Sequence, residues 1–536
     1  MKILNWLFYT GLWTQPFSMY GLMQIMNKTL SELQKDTKTG LLFLFFSFLP
    51  TIYIWNQNKT AKKNGKRQFG MLDSMNHQLD PAYQTSLRDR AKYPPVDKGY
   101  LSGEPTGIIL GKYQGKYVRK DLQTDGHIMI IGGSGSGKSS CLIIPTLLSN
   151  PNIGLLAIDI KGELSRKTAK LGTEENIIFN PNDRRTYGYN PFYKLNENST
   201  EQEIMECMQI TAVSLIPMPA ELRDTFWKQS ARQLLTGLLI YYYKKEYHNL
   251  PDICVEILKQ PMQKTLEEIQ KNLGKEEIEI LFLGSYLEIA EETLSGIASE
   301  VTMHLTIFAT DQNIHYAFKE NPLKMNPDML NHGKHIYLSI QENKLTAYYD
   351  VLQLILNQTL SELEGRKEEE EPILFIIDEL PRILSQGKLD RLLDGARTLR
   401  SRKVSLILVT QSVDALLSAY RESEVDDLIS NCAYVAVLSA TSKKTQDKII
   451  SWSGKYTERK NSYNQGKGAS NHRSISYEKR NIVESEDLVT LPDTGELILI
   501  TPKGYNRIKK APYYKIPQLR DRSADIETFN QNIENM

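Results

Sequence analysis

The chain has 536 residues, 40% of them hydrophobic and 24% charged, a globular balance that excludes a fibrous or disordered protein and allows two to four domains. Lys and Arg number 65 against 64 Asp and Glu, so no bulk positive field advertises nucleic acid; any DNA contact needs local patches or a ring of subunits. The four cysteines, at 141, 207, 254 and 432, lack metal spacing and fit a reduced, cytoplasmic setting.

No residue from 3 to 27 is charged, and a second apolar run, 41–55, is broken only by Ser47, Pro50 and Thr51. A spanning helix needs about 20 mostly apolar residues. Residues 1–57 are therefore expected to be a membrane anchor of two transmembrane helices, with one helix plus an interfacial segment as the alternative. A cleaved signal peptide is the rival for the first run, but no small-x-small site follows it. Lys59, Lys62, Lys63, Lys66 and Arg67 come next, with no acid before Asp73. The positive-inside rule then predicts a multi-pass cell-membrane protein with everything after residue 58 in the cytoplasm.

Residues 58–100 are polar and Pro-containing and read as a linker. "GIILGKYQGKYVRKD" predicts a hairpin turning at Gln114 and Gly115. An apolar strand at 127–131 leads into "GGSGSGKSS", and an apolar helix follows in which Pro145 predicts a kink or an early end. "GLLAIDI" reads as a buried parallel strand, completing a βαβ unit. Residues 101–196 thus form the first part of a nucleotide-binding domain. Residues 197–325 read as an inserted all-α domain. Ser199 and Gln202 have capping-box spacing at its head. Asp224 is a candidate cap for the next helix, where Phe226, Leu234, Leu235, Leu238, Leu239 and Tyr242 recur at helical spacing. Further helices are expected near 264–273, 283–307 and 311–319. The α/β pattern returns over 326–515 with strands at 334–340, 372–380, 404–412 and 433–440. Residues 461–473 read as a mobile loop and 516–536 as a polar tail. The predicted fold class is α/β, a parallel sheet with helices on both faces.

The segment Gly132, Gly133, Ser134, Gly135, Ser136, Gly137, Lys138, Ser139, Ser140 matches the P-loop pattern. Backbone N–H groups must curl round a phosphate, which requires residues without bulky Cβ groups. Lys138 would neutralise the β- and γ-oxygens of ATP, and the Ser139 hydroxyl would be a Mg2+ ligand. The second half of such a site is an acid at the end of another buried strand. "ILFIIDEL" supplies Asp378, which can hold the Mg2+ through water, and Glu379, which can polarise the attacking water. Gln411 ends a third strand; its amide would sense the γ-phosphate if that strand neighbours the P-loop strand, and is otherwise a strand cap. Arg397, Arg400 and Arg402 precede that strand. Arg400 is the favoured one to reach a neighbouring subunit's phosphate, against a solvated basic helix. Chemically this is a Mg-dependent P-loop ATPase.

Beyond the P-loop, several segments resemble the TraG-type coupling proteins, membrane-anchored ATPases of type IV secretion and conjugation. These are "HIMIIGGSGSGKSSCLIIPTLL", "IDIKGEL" (158–164), "YNPF" (189–192), "DTFWKQSARQLLTGLL", "FIIDELPRI", "VTQS", "SGKYT" (453–457) and "LVTLPDTGELILITPKGYNRIKKAPYY". The resemblance spans roughly residues 100–515. It implies a RecA-like nucleotide-binding domain carrying the inserted all-α domain. It further implies a homohexamer with sites between subunits, and recruitment of a DNA–relaxase complex, or a protein substrate, to secretion-channel components. Asp159 and Lys161 match a family signature without a derivable role; a structural salt bridge and catalysis both fit. A motor on DNA needs phosphate contacts rather than base readout, for which Lys388 and Arg391 are candidates. Two alternatives stay open. One is an FtsK-like translocase, disfavoured because little chain follows 515. The other is a substrate-docking receptor with nucleotide as an assembly switch.

Overall fold

The computed structural model describes residues 93–534 except 219–224, 275–276, 386–387 and 465–471. The expected anchor (1–57), most of the linker and the Asp224 cap lie outside the described residues. Among the described residues no helix is long and apolar enough to cross a membrane.

The strands in chain order begin with β1 (Leu101–Ser102), β2 (Ile108–Tyr113), β3 (Lys116–Lys120), β4 (Ile128–Ile131), β5 (Gly154–Ile158) and β6 (Asn176–Phe179). Next come β7 (Gly188–Tyr189), β8 (Lys324–Met325), β9 (His335–Leu338), β10 (Ile373–Ile377) and β11 (Val404–Thr410). The last are β12 (Tyr434–Val437), β13 (Lys455–Asn464), β14 (His472–Asn481), β15 (Glu496–Thr501) and β16 (Gly504–Lys509). A 12-stranded sheet runs β1-β3-β2-β16-β15-β12-β4-β11-β10-β5-β9-β6. Its seven strands from β12 to β6 are all parallel; those from β1 to β15 are joined antiparallel. β4, β5, β10 and β11 are buried along their whole length, as expected of parallel strands covered by helices on both faces. The two faces feed separate apolar clusters, so successive side chains of a strand such as Phe375 and Ile376 enter opposite cores.

The predicted β2–β3 hairpin turns at Gln114 (φ 49°) and Gly115 (φ 81°), both in the left-handed region that a tight two-residue turn demands. Pro145 neither breaks nor sharply stops its helix. A π-turn, Ser139–Ile143, runs directly into Ile144–Ser149, so Pro145 stands inside one helical run whose hydrogen-bond pattern is already irregular just before it. The helix is nonetheless short.

The all-α segment comprises Glu201–Leu215, Thr225–Lys244, Leu250–Leu258, Met262–Asn272, Ile278–Leu287 and Glu291–Thr310, followed by the turn Gln312–His315. Its first cap is Thr200 with Glu203, one residue beyond the predicted Ser199 and Gln202: Glu203 N–H donates to Thr200 Oγ1 and Thr200 N–H to Glu203 Oε2. Ser199 instead accepts from Asn196 N–H. The predicted helix at 283–307 is two helices parted at Glu288–Ala290. Leu234, Leu235, Leu238 and Leu239 are buried as their spacing required, whereas Phe226 is 56% exposed.

Two segments read as loop or tail have structure. The strands β13 and β14 form a ribbon reaching into the stretch 461–473 from both sides. The 516–536 segment, expected as a polar tail, contains the helix Pro517–Glu534. Leu519 and Ile526 enter the core. Asn530 Nδ2 donates to the carbonyls of Ala169 and Arg166, and Ser523 Oγ to that of Lys167. The docking face is half polar, which hid it from a pattern that counts only apolar residues.

Candidate nucleotide site

Strand register assembles the site. Ile131, the last residue of β4, pairs with Thr410 on β11, and Leu408 of β11 pairs with Ile377 of β10. Ile377 pairs in turn with Ile158 of β5. The residues that follow these strands therefore emerge in a row at one edge: the P-loop, Gln411, then Asp378 and Glu379, then Asp159 and Lys161. β11 does neighbour β4, the condition set for Gln411. It also separates the P-loop strand from the acid strand, leaving about 10 Å between them at the usual strand spacing.

The loop is shaped as a cradle. Gly135 and Gly137 have φ of 73° and 94°, and a Cβ on Gly132 would lie 2.5 Å from Ser136 Oγ. Gly133 N–H donates to Ser439 Oγ (2.8 Å) and Lys510 Nζ to the Ser136 carbonyl (2.9 Å). Lys138 Nζ folds back on the carbonyls of Gly132 (2.7 Å) and Gly133 (3.1 Å), and burial holds its pKa down against the pull of Glu379. The Ser136 hydroxyl is buried without a partner among the described residues.

Asp378 and Glu379 diverge although adjacent. The Asp378 carboxyl is buried beside Glu379 and Asp159 and accepts no hydrogen bond from the described residues; burial first, then those two charges, push it up to about 7. Such an acid gains from a cation. Glu379 has φ 65°, a left-handed conformation uncommon outside glycine, and starts the helix Leu380–Leu384. Gln411 Nε2 donates to its Oε1 (2.5 Å) and Lys161 Nζ to its Oε2 (3.3 Å). Burial works to raise this carboxyl, but the Gln411 bond and the charges of Lys161 and Lys138 outweigh it and hold it below the ordinary range. Asp159 is fully buried; its Oδ2 accepts from Ser165 N–H and Oγ, both at 2.8 Å, so it staples the turn after β5.

ATP and Mg2+ fit these residues. A cradle that a Cβ would fill, a buried hydroxyl at Ser136 and an acid that accepts no hydrogen bond from the described residues are what a triphosphate and a divalent cation require. Ser139 and Ser140, at the start of the π-turn, are partly exposed.

Other candidates lie elsewhere. Arg400 belongs to the turn Leu399–Arg402 at the start of β11, the opposite edge of the sheet, and reaches Asp125 at 4.0 Å. Lys388 and Arg391, the candidates for contact with DNA, pair with Glu424 and Glu364, each at 2.9 Å. Sequence reading missed Ser439 and Lys510, which brace the P-loop from the ends of β12 and β16. Ser439 was findable, since it stands just past a buried strand as Gln411 does; Lys510 carried no signal.

A family model described as "Type IV secretory system Conjugative DNA transfer" matches residues 90–535. The chain is 22% identical over 445 residues to the protein VirD4 of Agrobacterium fabrum, covering 79% of this chain and 63% of that protein. It is 20% identical over 416 residues to the conjugal transfer protein TraG of the same organism, covering 73% and 60%. The chain thus spans less than two thirds of the length of these curated relatives. Among solved structures, the conjugative coupling protein TrwBdeltaN70 in an unbound form superposes with a TM-score of 0.61 at 15% identity, covering 77% of this chain and 89% of that one. TrwB in complex with ADP and Mg2+ gives 0.61 at 15% identity, covering 78% and 92%. At that identity the likeness shows the fold, a mixed α/β core with one large central sheet, while the match over 90–535 settles kinship: the chain belongs to the type IV secretory system conjugative DNA transfer family.

Proposed function

We propose that this chain is the ATP-hydrolysing coupling protein of a type IV secretion system. It recruits a DNA–relaxase complex, or a protein substrate, to the channel and uses hydrolysis to drive conjugative transfer. The observation that carries this is the row of strand tips, where a phosphate cradle, two acids and an amide converge on one edge of the sheet. The structural neighbour TrwB is known with an ATP analogue and with ADP and Mg2+, which supports the same ligands here.

The roles follow from position. The P-loop amides and Lys138 bind the phosphates; Lys138 need only leave its two carbonyls to do so. A cation held by Ser139 and Asp378 would neutralise phosphate charge. Glu379, kept ionised by its partners, is the group able to accept a proton from water. Gln411 orients it. Arg400 is exposed and far from its own site, so it acts only on a neighbour's phosphate, in a homohexamer. Residues 1–57 fasten the assembly to the membrane by two helices with the bulk of the chain in the cytoplasm, and DNA is gripped without regard to sequence.

The test is ATP turnover by the full chain in detergent, with and without DNA of unrelated sequences. DNA-stimulated turnover, abolished by Lys138→Ala, is expected. A protein that binds no nucleotide sinks the reading; turnover indifferent to DNA, with tight relaxase binding, points to a docking receptor instead.

A further inference from the structure

We propose that Lys161 is a positioning residue for hydrolysis, holding the Glu379 carboxylate from the side opposite Gln411. This rests on the hydrolytic reading above and adds a residue to it.

The argument is geometric. Glu379 lies in a left-handed backbone conformation at the end of β10, so its side chain leaves the chain at an angle that no helix or strand fixes. Two outside donors fix it instead. Gln411, one strand away on one side, takes Oε1, and Lys161, one strand away on the other, takes Oε2. A carboxylate has about four lone-pair sites, so each oxygen keeps one for water while both are restrained. Remove one donor and the carboxylate can turn about the remaining bond.

The alternative is a structural salt bridge, and exposure argues against it. The Lys161 side chain is 53% exposed, whereas its partner is 6% exposed. An exposed lysine gains little stability from an ion pair, since solvent screens it. Lys161 borders a cavity of about 880 Å³ shared with Gly162 and Glu342 and with no P-loop residue, and its side chain is half exposed, so replacing it opens no hole in the core. What the pair does is aim Glu379. Gly162, at φ 64°, turns the chain right after Lys161, and Asp159, two residues before it, is tied to Ser165. The signature segment at 158–164 thus becomes a mount for one ammonium group.

The experiment compares Lys161→Met, Lys161→Arg, Glu379→Gln and the double variant Lys161→Met/Glu379→Gln in the full chain, by kcat, KM for ATP and nucleotide affinity. Lys161→Met keeps the stem and drops the charge. It is expected to lower kcat tenfold or more with KM and affinity within about twofold, and Lys161→Arg to recover most of the loss. Because Lys161 acts through Glu379, the double variant should be no slower than Glu379→Gln alone; a structural role would add its own loss. Unchanged kcat in Lys161→Met, a matching loss of affinity, or additivity in the double variant overturns the proposal. Absence of turnover in the unaltered chain overturns the hydrolytic reading itself, and this one with it.

Discussion

Gln411 and Glu379 sit at the tips of adjacent parallel strands, and the Gln411 amide donates to Glu379 Oε1. The contact joins a residue whose strand pairs with the P-loop strand to the buried acid proposed to activate water, so under that proposal phosphate binding and water activation are linked by one hydrogen bond. Gln411→Leu keeps bulk and removes the donor. It should slow turnover about tenfold, the effect of losing one orienting hydrogen bond worth about 1.4 kcal/mol, with nucleotide affinity within twofold. Steady-state kinetics beside a binding titration separate the two; an affinity loss as large as the rate loss counts against the assignment.

Glu379→Gln removes the proton acceptor and keeps the shape. Turnover is expected to drop 100-fold or more, with binding intact, because proton transfer contributes about 10²–10⁴-fold. Single-turnover measurements with radiolabelled ATP provide the check. Near-normal hydrolysis would move the role of base to another residue.

Lys138→Ala should lose nucleotide binding and little stability, since the only hydrogen bonds of Lys138 among the described residues are to the carbonyls of Gly132 and Gly133. Thermal denaturation tests both halves at once. The unliganded melting temperature should stay within a few degrees, and the rise on adding Mg-ATP should vanish.

Acid should weaken the fold through His127. Leu406 N–H donates to its Nδ1, so the single ring proton sits on Nε2, which donates to the Ala396 carbonyl. Burial, against that carbonyl's help, pushes the imidazole down to about 4. The unfolded chain takes up this proton near pH 6.5, so between about 4 and 6.5 it binds more protons than the native state. Stability is full above pH 6.5 and falls as the pH drops, by about 3 kcal/mol at most from this group. His335, also pushed down to about 4 by burial, acts in the same direction. The melting temperature should fall from pH 7.5 to pH 5, and His127→Gln should flatten part of that fall; an equal fall in the variant would exonerate His127.

Ile526→Asp should detach the last helix. Ile526 is 4% exposed in the cluster beneath the helix Glu163–Thr168, and burying a carboxylate there costs about 3 kcal/mol or more. Limited proteolysis should then cut between 510 and 534 while the all-α segment stays protected. Equal resistance in both proteins would show that the helix docks without this residue.

The core of the site was legible because it is built from local patterns. Glycine spacing, a lysine and a buried strand ending in two acids each declare themselves within about ten residues. What stayed hidden depends on distant partners. Lys161 and Asp159 were noticed, but the partner of Lys161 depends on which strand lies beside β5, and that of Asp159 on the turn that brings Ser165 back to it. Lys388 and Arg391 pair with Glu424 and Glu364, partners that lie 36 and 27 residues away in the chain. The last helix was unreadable because two of its buried contacts, Ser523 and Asn530, cap carbonyls rather than fill a core. The first all-α cap slipped by one residue because Ser199 and Thr200 both satisfy the pattern, and only Thr200 faces the helix N–H groups.

The brace from Lys510 to Ser136 and the one from Ser439 to Gly133 tie the P-loop to chain made much later. Its own strand is flanked by β11 and β12, both more than 270 residues downstream. During synthesis the glycine loop therefore leaves the ribosome long before the walls that shape it. A nascent or truncated chain ending short of residue 510 carries the complete phosphate-binding motif and still lacks the finished cradle. Such fragments should be poor competitors for ATP, and the ability to bind it becomes a late certificate that the chain through residue 510 has been made and folded.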